Sequence, residues 1–340
     1  MGSFREEASL KELYKDAFHI GAAVSPKTID SQRSLLAYHF NSLTAENEMK
    51  FSSVHPQKEL YTFDDADAIA SFAREQGMAL RGHTLVWHNQ TPDWLFENEI
   101  GGLVERDVLL ERLKAHIETV VGRYKDVIYA WDVVNEVISD DADDANAFLR
   151  PSKWLDIAGE GFIAKAFEFA HEADPQALLF YNDYNESDPH KRERIYRLVR
   201  SLLDQGVPIH GVGLQAHWNL YDPSMDDMRA GIERYAQLGL QLQLTELDVS
   251  VFRFEDRRTD LVQPSQEMLE LQGERYESIF RLLHEYKEHI SAVTFWGAAD
   301  DYTWLDNFPI RGRKNWPFLF DELHRPKEAY QRVARITVPK

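Results

Sequence analysis

Val108–Lys125, VLLERLKAHIETVVGRYK, followed after Asp126 by Val127–Glu136, VIYAWDVVNE, is the stretch whose reading decides the fold. The first segment is long and amphipathic, and the second is short, apolar and rich in β-formers. A helix fed directly into such a strand is half of a repeated βα unit. The pattern recurs on both sides. Strand-like segments are FHIGAAV from Phe18, NSLTAEN from Asn41, ALRGHTLVW from Ala79, LLFYNDYN from Leu178, GVGLQAH from Gly211, LQLTELDV from Leu242 and AVTFWGAAD from Ala292. Helical stretches lie between them, among them DDADAIASFAREQ before Gly77 and QEMLELQGERYESIFRLLHEYKEH ending at His289. Eight strands alternating with helices in 340 residues, with no linker rich in Pro, Gly or Ser, predict one α/β domain over 1–340, a closed (β/α)8 TIM barrel.

Chemistry in this architecture collects where strands end and run into loops. The polar residues sit there: Glu46 and Asn47, His83 and Trp87, Asn135 and Glu136, Asn182 and Tyr184, Gln215 and His217, Glu246 and Asp248, and Trp296. A single polar strand end is readily explained as a loop anchor. Seven on one rim are costly to bury without a task.

Two carboxylates among these stand out, Glu136 and Glu246, on the fourth and seventh strands and nearly across the barrel from each other. Paired carboxylates flanking one bond are what glycosidic cleavage requires: one protonates the departing oxygen and the other stabilises or attacks the anomeric carbon. Each, taken alone, is as readily an ordinary salt-bridged strand end. Alternation places Glu246 and Asp248 on one face, and likewise Gln215 and His217, so that a histidine between two acids can hold one of them ionised. Asn135 is placed either to grip a sugar hydroxyl or to shape a turn.

ENEMK, GHTLVWH, WDVVNE, GLQAH, TELD and TFWG, in this order over roughly Phe18–Ala334, resemble glycoside hydrolase family 10, the endo-1,4-β-xylanases. The resemblance implies a retaining double displacement with Glu136 as acid/base and Glu246 as nucleophile, oriented and ionised by His217 with Asp248 behind it. It further implies that Glu46, Asn47 and Lys50 bind the xylose one ring beyond the cleaved unit. His83, Trp87, Asn135 and Gln215 would surround the sugar that becomes covalently bound, with Trp296 and Trp304 as its walls. Tyr184 would lie on the leaving-group side. Xylan or xylo-oligosaccharide is the partner so implied, and no metal and no cofactor are expected.

Composition narrows the rest. With 57 acidic against 38 basic residues the net charge is −19, which repels nucleic acid and anionic membrane alike. There is no cysteine, hence no thiol nucleophile or thiolate metal site. No apolar run is long enough to span a membrane. The opening residues lack the basic start and apolar stretch of a secretory signal, so a cytoplasmic enzyme is expected. Because the barrel takes up almost everything from Phe18, no carbohydrate-binding module is expected either. Two rival readings are a metal-dependent barrel hydrolase, disfavoured by the absence of an HExxH motif, and a non-catalytic sugar-binding barrel, which has no need of opposed glutamates. The acidic stretch Ser139–Phe148 lacks the glycine and closing glutamate of a calcium loop and reads as a solvated face.

Overall fold

Parallel strands covered by helices outside and by packed side chains inside are buried on both faces, which is why they read as apolar runs. In the computed structural model, which describes residues 8–141 and 148–336, all eight segments form strands. They are β1 His19–Val24, β2 Ser42–Ala45, β3 Ala79–Val86, β4 Ile128–Asn135, β5 Leu178–Asp183, β6 Gly211–Leu214 with its continuation β7 His217–Asn219, β8 Gln241–Ser250 and β9 Ile290–Phe295. Every pairing is parallel, and β1 closes onto β9, so the sheet is a closed barrel. Much of the acidic stretch, residues 142–147, lies outside the described residues, as do the first seven.

The helices follow from local chemistry. Asp64–Gln76 buries Ala66, Ile69, Ala70 and Ala73, spaced three and four apart on one face, and stops at Gly77, whose φ of +63° supplies the left-handed cap. Pro189–Asp204 begins with proline at its first position, and the Asp188 side chain accepts from the N–H groups of His190 and Lys191. That start turns Lys191 inward, where it is 5% exposed. Among the described residues no helix is long and apolar enough to cross a membrane.

One expectation fails. Alternation along one strand puts Gln215 and His217 on a shared face, but β6 ends at Leu214 and Ala216 adopts φ +61°. β8 pairs with β6 through Leu244 and then with β7 from Asp248 onward. The left-handed residue breaks the alternation that period-two reasoning assumes.

The barrel interior is also less apolar than its strand sequences suggest. Arg81 is fully buried, donates to both oxygens of Asp132 at 2.7 and 3.1 Å, and donates from Nε to Gln243 at 2.6 Å. A buried guanidinium is tolerable only when its fork is filled in this way.

Candidate active site

At the end of β4 the chain turns sharply, Glu136 taking φ +58°. Its carbonyl accepts from Arg150 Nε at 2.9 Å, which pins the strained residue from the far stem of the loop. The Glu136 carboxyl receives Trp87 Nε1 on Oε2 at 2.7 Å, and Gln215 Nε2 and Asn135 Nδ2 on Oε1 at 2.9 and 3.2 Å. Three donors from three strand ends fix its direction.

Glu246, on β8, is 5% exposed. Its Oε1 accepts from Asn182 Nδ2 at 2.9 Å and its Oε2 from His217 Nε2 at 3.0 Å. The Nδ1 of His217 donates to Asp248 Oδ2 at 3.0 Å, and that oxygen also receives Trp304 Nε1 at 2.8 Å. Burial opposes a charge on the His217 ring, but the charges and hydrogen bonds of Asp248 and Glu246 more than offset it, and its pKa is pushed up from 6.5 to about 10. At neutral pH it is therefore an imidazolium donating from both nitrogens. Burial likewise opposes a charge on Glu246, yet the hydrogen bond from His217 and the pull of His83 and His217 outweigh it, so the carboxyl lies below its ordinary value. Glu246 is ionised.

Two amides in series, Asn182 and Asn135, join the two carboxylates. Asn182 Nδ2 donates to Asn135 Oδ1 as well as to Glu246, both at 2.9 Å, and its Oδ1 accepts from Thr245 at 2.6 Å. Gln215 Nε2 reaches the same Asn135 oxygen at 3.3 Å. Gly213 makes room for this hub, since a Cβ there would sit 2.3 Å from Asn182 Oδ1.

The remaining expected site residues group around this pair. His83 Nδ1 bonds Asp132 at 2.9 Å and stands 4.0 Å from Glu246, with its ring 5.3 Å from that of Trp296. Trp304 lies 4.9 Å from the His217 ring. Lys50 Nζ donates to Asn47 at 2.9 Å and lies 4.9 Å above the Trp87 ring. Burial pulls Lys50 below its ordinary range, opposed by Glu246, Glu46 and Glu136. Glu46 is pushed up to about 7 by burial, against a hydrogen bond from Tyr302 and the charge of Lys50. Tyr184 makes its contacts with a different set of residues. Its hydroxyl bonds Asp140 and receives Arg150 at 2.8 Å, and Lys191 lies 4.4 Å above its ring.

Several members of the site were missed. Asp132 is legible as an aspartate inside an apolar strand, and Asn182 as a strand-end amide to which no role was given. Tyr302 and Arg150 lie on loops, and nothing in their local sequence marks them.

A closed barrel with an ionised carboxylate and a second, donor-bound carboxyl wired together at its C-terminal mouth is the architecture of a barrel glycoside hydrolase. Residues 9–336 match the model of Glycosyl hydrolase family 10, and the chain belongs to that family. It is 60% identical over 328 residues to endo-1,4-beta-xylanase B of Paenibacillus barcinonensis, covering 96% of this chain and 98% of that one. To an endo-1,4-beta-xylanase of Geobacillus stearothermophilus it is 58% identical, with the same coverage of 96% and 98%. A crystal structure of a Paenibacillus barcinonensis xylanase with a conduramine derivative superposes with a TM-score of 0.95 at 59% identity, over 97% of this chain and 98% of that one. A mutant structure in complex with xylotriose superposes with a TM-score of 0.93 at 49% identity, over 96% and 99%.

Proposed function

We infer that the chain hydrolyses internal β-1,4-xylosidic bonds of xylan and xylo-oligosaccharides as a retaining endo-1,4-β-xylanase. The observation that carries the mechanism is the shared amide network, which holds an ionised Glu246 and the carboxyl of Glu136 over one mouth. In this reading Glu246 attacks the anomeric carbon while Glu136 gives its proton to the departing glycosidic oxygen, leaving a glycosyl ester on Glu246. The ester no longer carries the charge that faced Glu136. Glu136, now deprotonated, takes a proton from water as the water attacks the anomeric carbon, which frees Glu246 and returns the starting configuration.

His217 and Asp248 keep Glu246 charged and directed; Asn135, Gln215, His83 and Trp87 surround the ring undergoing displacement; Trp296 and Trp304 close over it. Glu46, Asn47 and Lys50 bind the next xylose, and Tyr184 borders the leaving-group side. Were these indoles to close tightly over carbon five, a hydroxymethyl group would find no space there, which would favour xylose over glucose. The expected cytoplasmic location goes with this reading as a proposal, tested by fractionating cells for the activity. The mechanism is tested by proton NMR of the first anomer released from xylohexaose. A β anomer is expected, and an early α anomer refutes it, because inversion needs a water between the carboxylates.

A further inference from the structure

The step from β6 to β7 carries two donors in two directions. Gln215 goes to Glu136 and His217 to Glu246, with only Ala216 between them. Ala216 has φ +61°, in the left-handed region that is unfavourable for a residue with a Cβ. Nothing in its own side chain pays this back, so the turn must be held from outside.

Glu186 is the group placed to hold it. It lies on the loop between β5 and the helix Pro189–Asp204 and is 2% exposed. Its Oε1 accepts from Trp218 Nε1 at 3.0 Å, one residue beyond His217, and the backbone N–H groups of Ala216 and of Glu186 itself face its carboxyl. Its own carbonyl is anchored by the Tyr235 hydroxyl at 2.9 Å. Among the described residues Oε2 closes no hydrogen bond and no lysine or arginine forms an ion pair with the carboxyl, while the charge of His217 acts on it. Burial accordingly raises its pKa, moderated by these N–H donors and by His217. A buried carboxyl so poorly compensated is a weak device for stability, since an apolar side chain of similar volume would cost less. Its contacts go instead to the residues flanking the two donors.

We propose that Glu186 is a positioning residue for the hydrolysis: through Trp218 and the Ala216 turn it fixes the aim of Gln215 at Glu136 and of His217 at Glu246. The proposal rests on the assignment of those two carboxylates as acid/base and nucleophile. The contacts Glu186 aims are those made to the two carboxylates, so its loss acts chiefly on turnover.

The test is steady-state kinetics on an aryl β-xylobioside, with thermal melts run alongside. Glu186→Met should lower kcat at least tenfold with KM within twofold. Glu186→Gln, whose amide oxygen still accepts from Trp218, should recover at least threefold of that loss. Trp218→Phe keeps an aromatic ring, removes the donor and should also lower kcat at unchanged KM. A folded Glu186→Met with kcat within twofold of wild type overturns the proposal whatever its melting temperature, as does a loss that Gln does not recover. Should the Met variant not fold, Trp218→Phe decides: kcat within twofold of wild type overturns the proposal, and a larger fall at constant KM supports it. A wild-type chain that leaves the substrate intact overturns the underlying assignment and the proposal together.

Discussion

Replacing Asp248 by Asn removes the strongest support for the charge on His217 while keeping a side chain of the same shape. The rise of the His217 pKa from 6.5 to about 10 corresponds to about 5 kcal/mol in favour of the charged ring, at ~1.4 kcal/mol per tenfold. Asp248 supplies the largest opposing contribution to burial, ahead of Glu246. Taking its share as half or more, the variant loses about 3 kcal/mol of that preference, and the His217 pKa falls by roughly two. Wild-type kcat/KM on an aryl β-xylobioside should hold to about pH 9 and then decline as His217 loses the proton it donates to Glu246. In Asp248→Asn the decline should begin near pH 7 to 8, so that its deficit against wild type grows by about tenfold between pH 6 and pH 9. Stability carries the same signature. A histidine with a raised folded-state pKa stabilises fully below 6.5 and loses that contribution as pH rises to about 10, so wild-type melting temperatures fall across this window more steeply than those of the variant. An alkaline limb at the same pH in both proteins would refute the electrostatic account of Glu246.

Other perturbations address separate parts of the site. Glu246→Ala should abolish turnover while melting within a few degrees of wild type, and Glu136→Ala should slow poor leaving groups far more than activated ones; equal losses for both leaving-group classes would remove Glu136 from the acid role. Gly213→Ala brings a Cβ within 2.3 Å of Asn182 Oδ1 and 2.9 Å of Thr245 Cγ2. It should destabilise by about 1–3 kcal/mol in urea melts and lower kcat as the hub is displaced, whereas wild-type behaviour in both would contradict the packing described. Lys191→Met leaves Asp140 and Asp183 without the ammonium at 2.6 and 3.2 Å. Burial already pushes Asp183 up to about 7 against that ammonium. A buried acid with a raised pKa destabilises increasingly as pH climbs from its ordinary 3.8 through the folded value, so the variant's deficit in urea melts should be larger at pH 8, on the order of 3–5 kcal/mol, than at pH 5. A deficit independent of pH would point to lost packing instead.

The barrel was legible because short segments rich in apolar and β-branched residues recur and each intervening segment has a helical face; Asp64–Gln76 forms with the bounds its sequence suggested. The strand ends were legible too, since polar groups at the close of an apolar run have few structural uses. What the sequence hid depends on distant partners. Arg81 reads as a stray charge in ALRGHTLVW until Asp132 and Gln243 are seen to fill its fork. Arg150 acts on the carbonyl of Glu136, fourteen residues earlier, across a loop whose path local propensity does not set. The tilt of Glu46 toward neutrality comes from burial, held in check by Tyr302 and Lys50, and neither the burial nor the Tyr302 contact is announced by its neighbours in ENEMK.

The broken sixth strand shows why period-two reasoning failed where it mattered. Had Gln215 and His217 continued one regular strand, both would project from a single face toward the same partner. The site needs them apart, one on the carboxyl that handles the proton and one on the carboxylate that bears the charge. A left-handed Ala216 provides that divergence at a local backbone cost, and β8 adapts by pairing with two short strands in succession. Local strain concentrated at the residue between two essential donors is therefore a consequence of placing an acid and a nucleophile under separate control within one barrel strand.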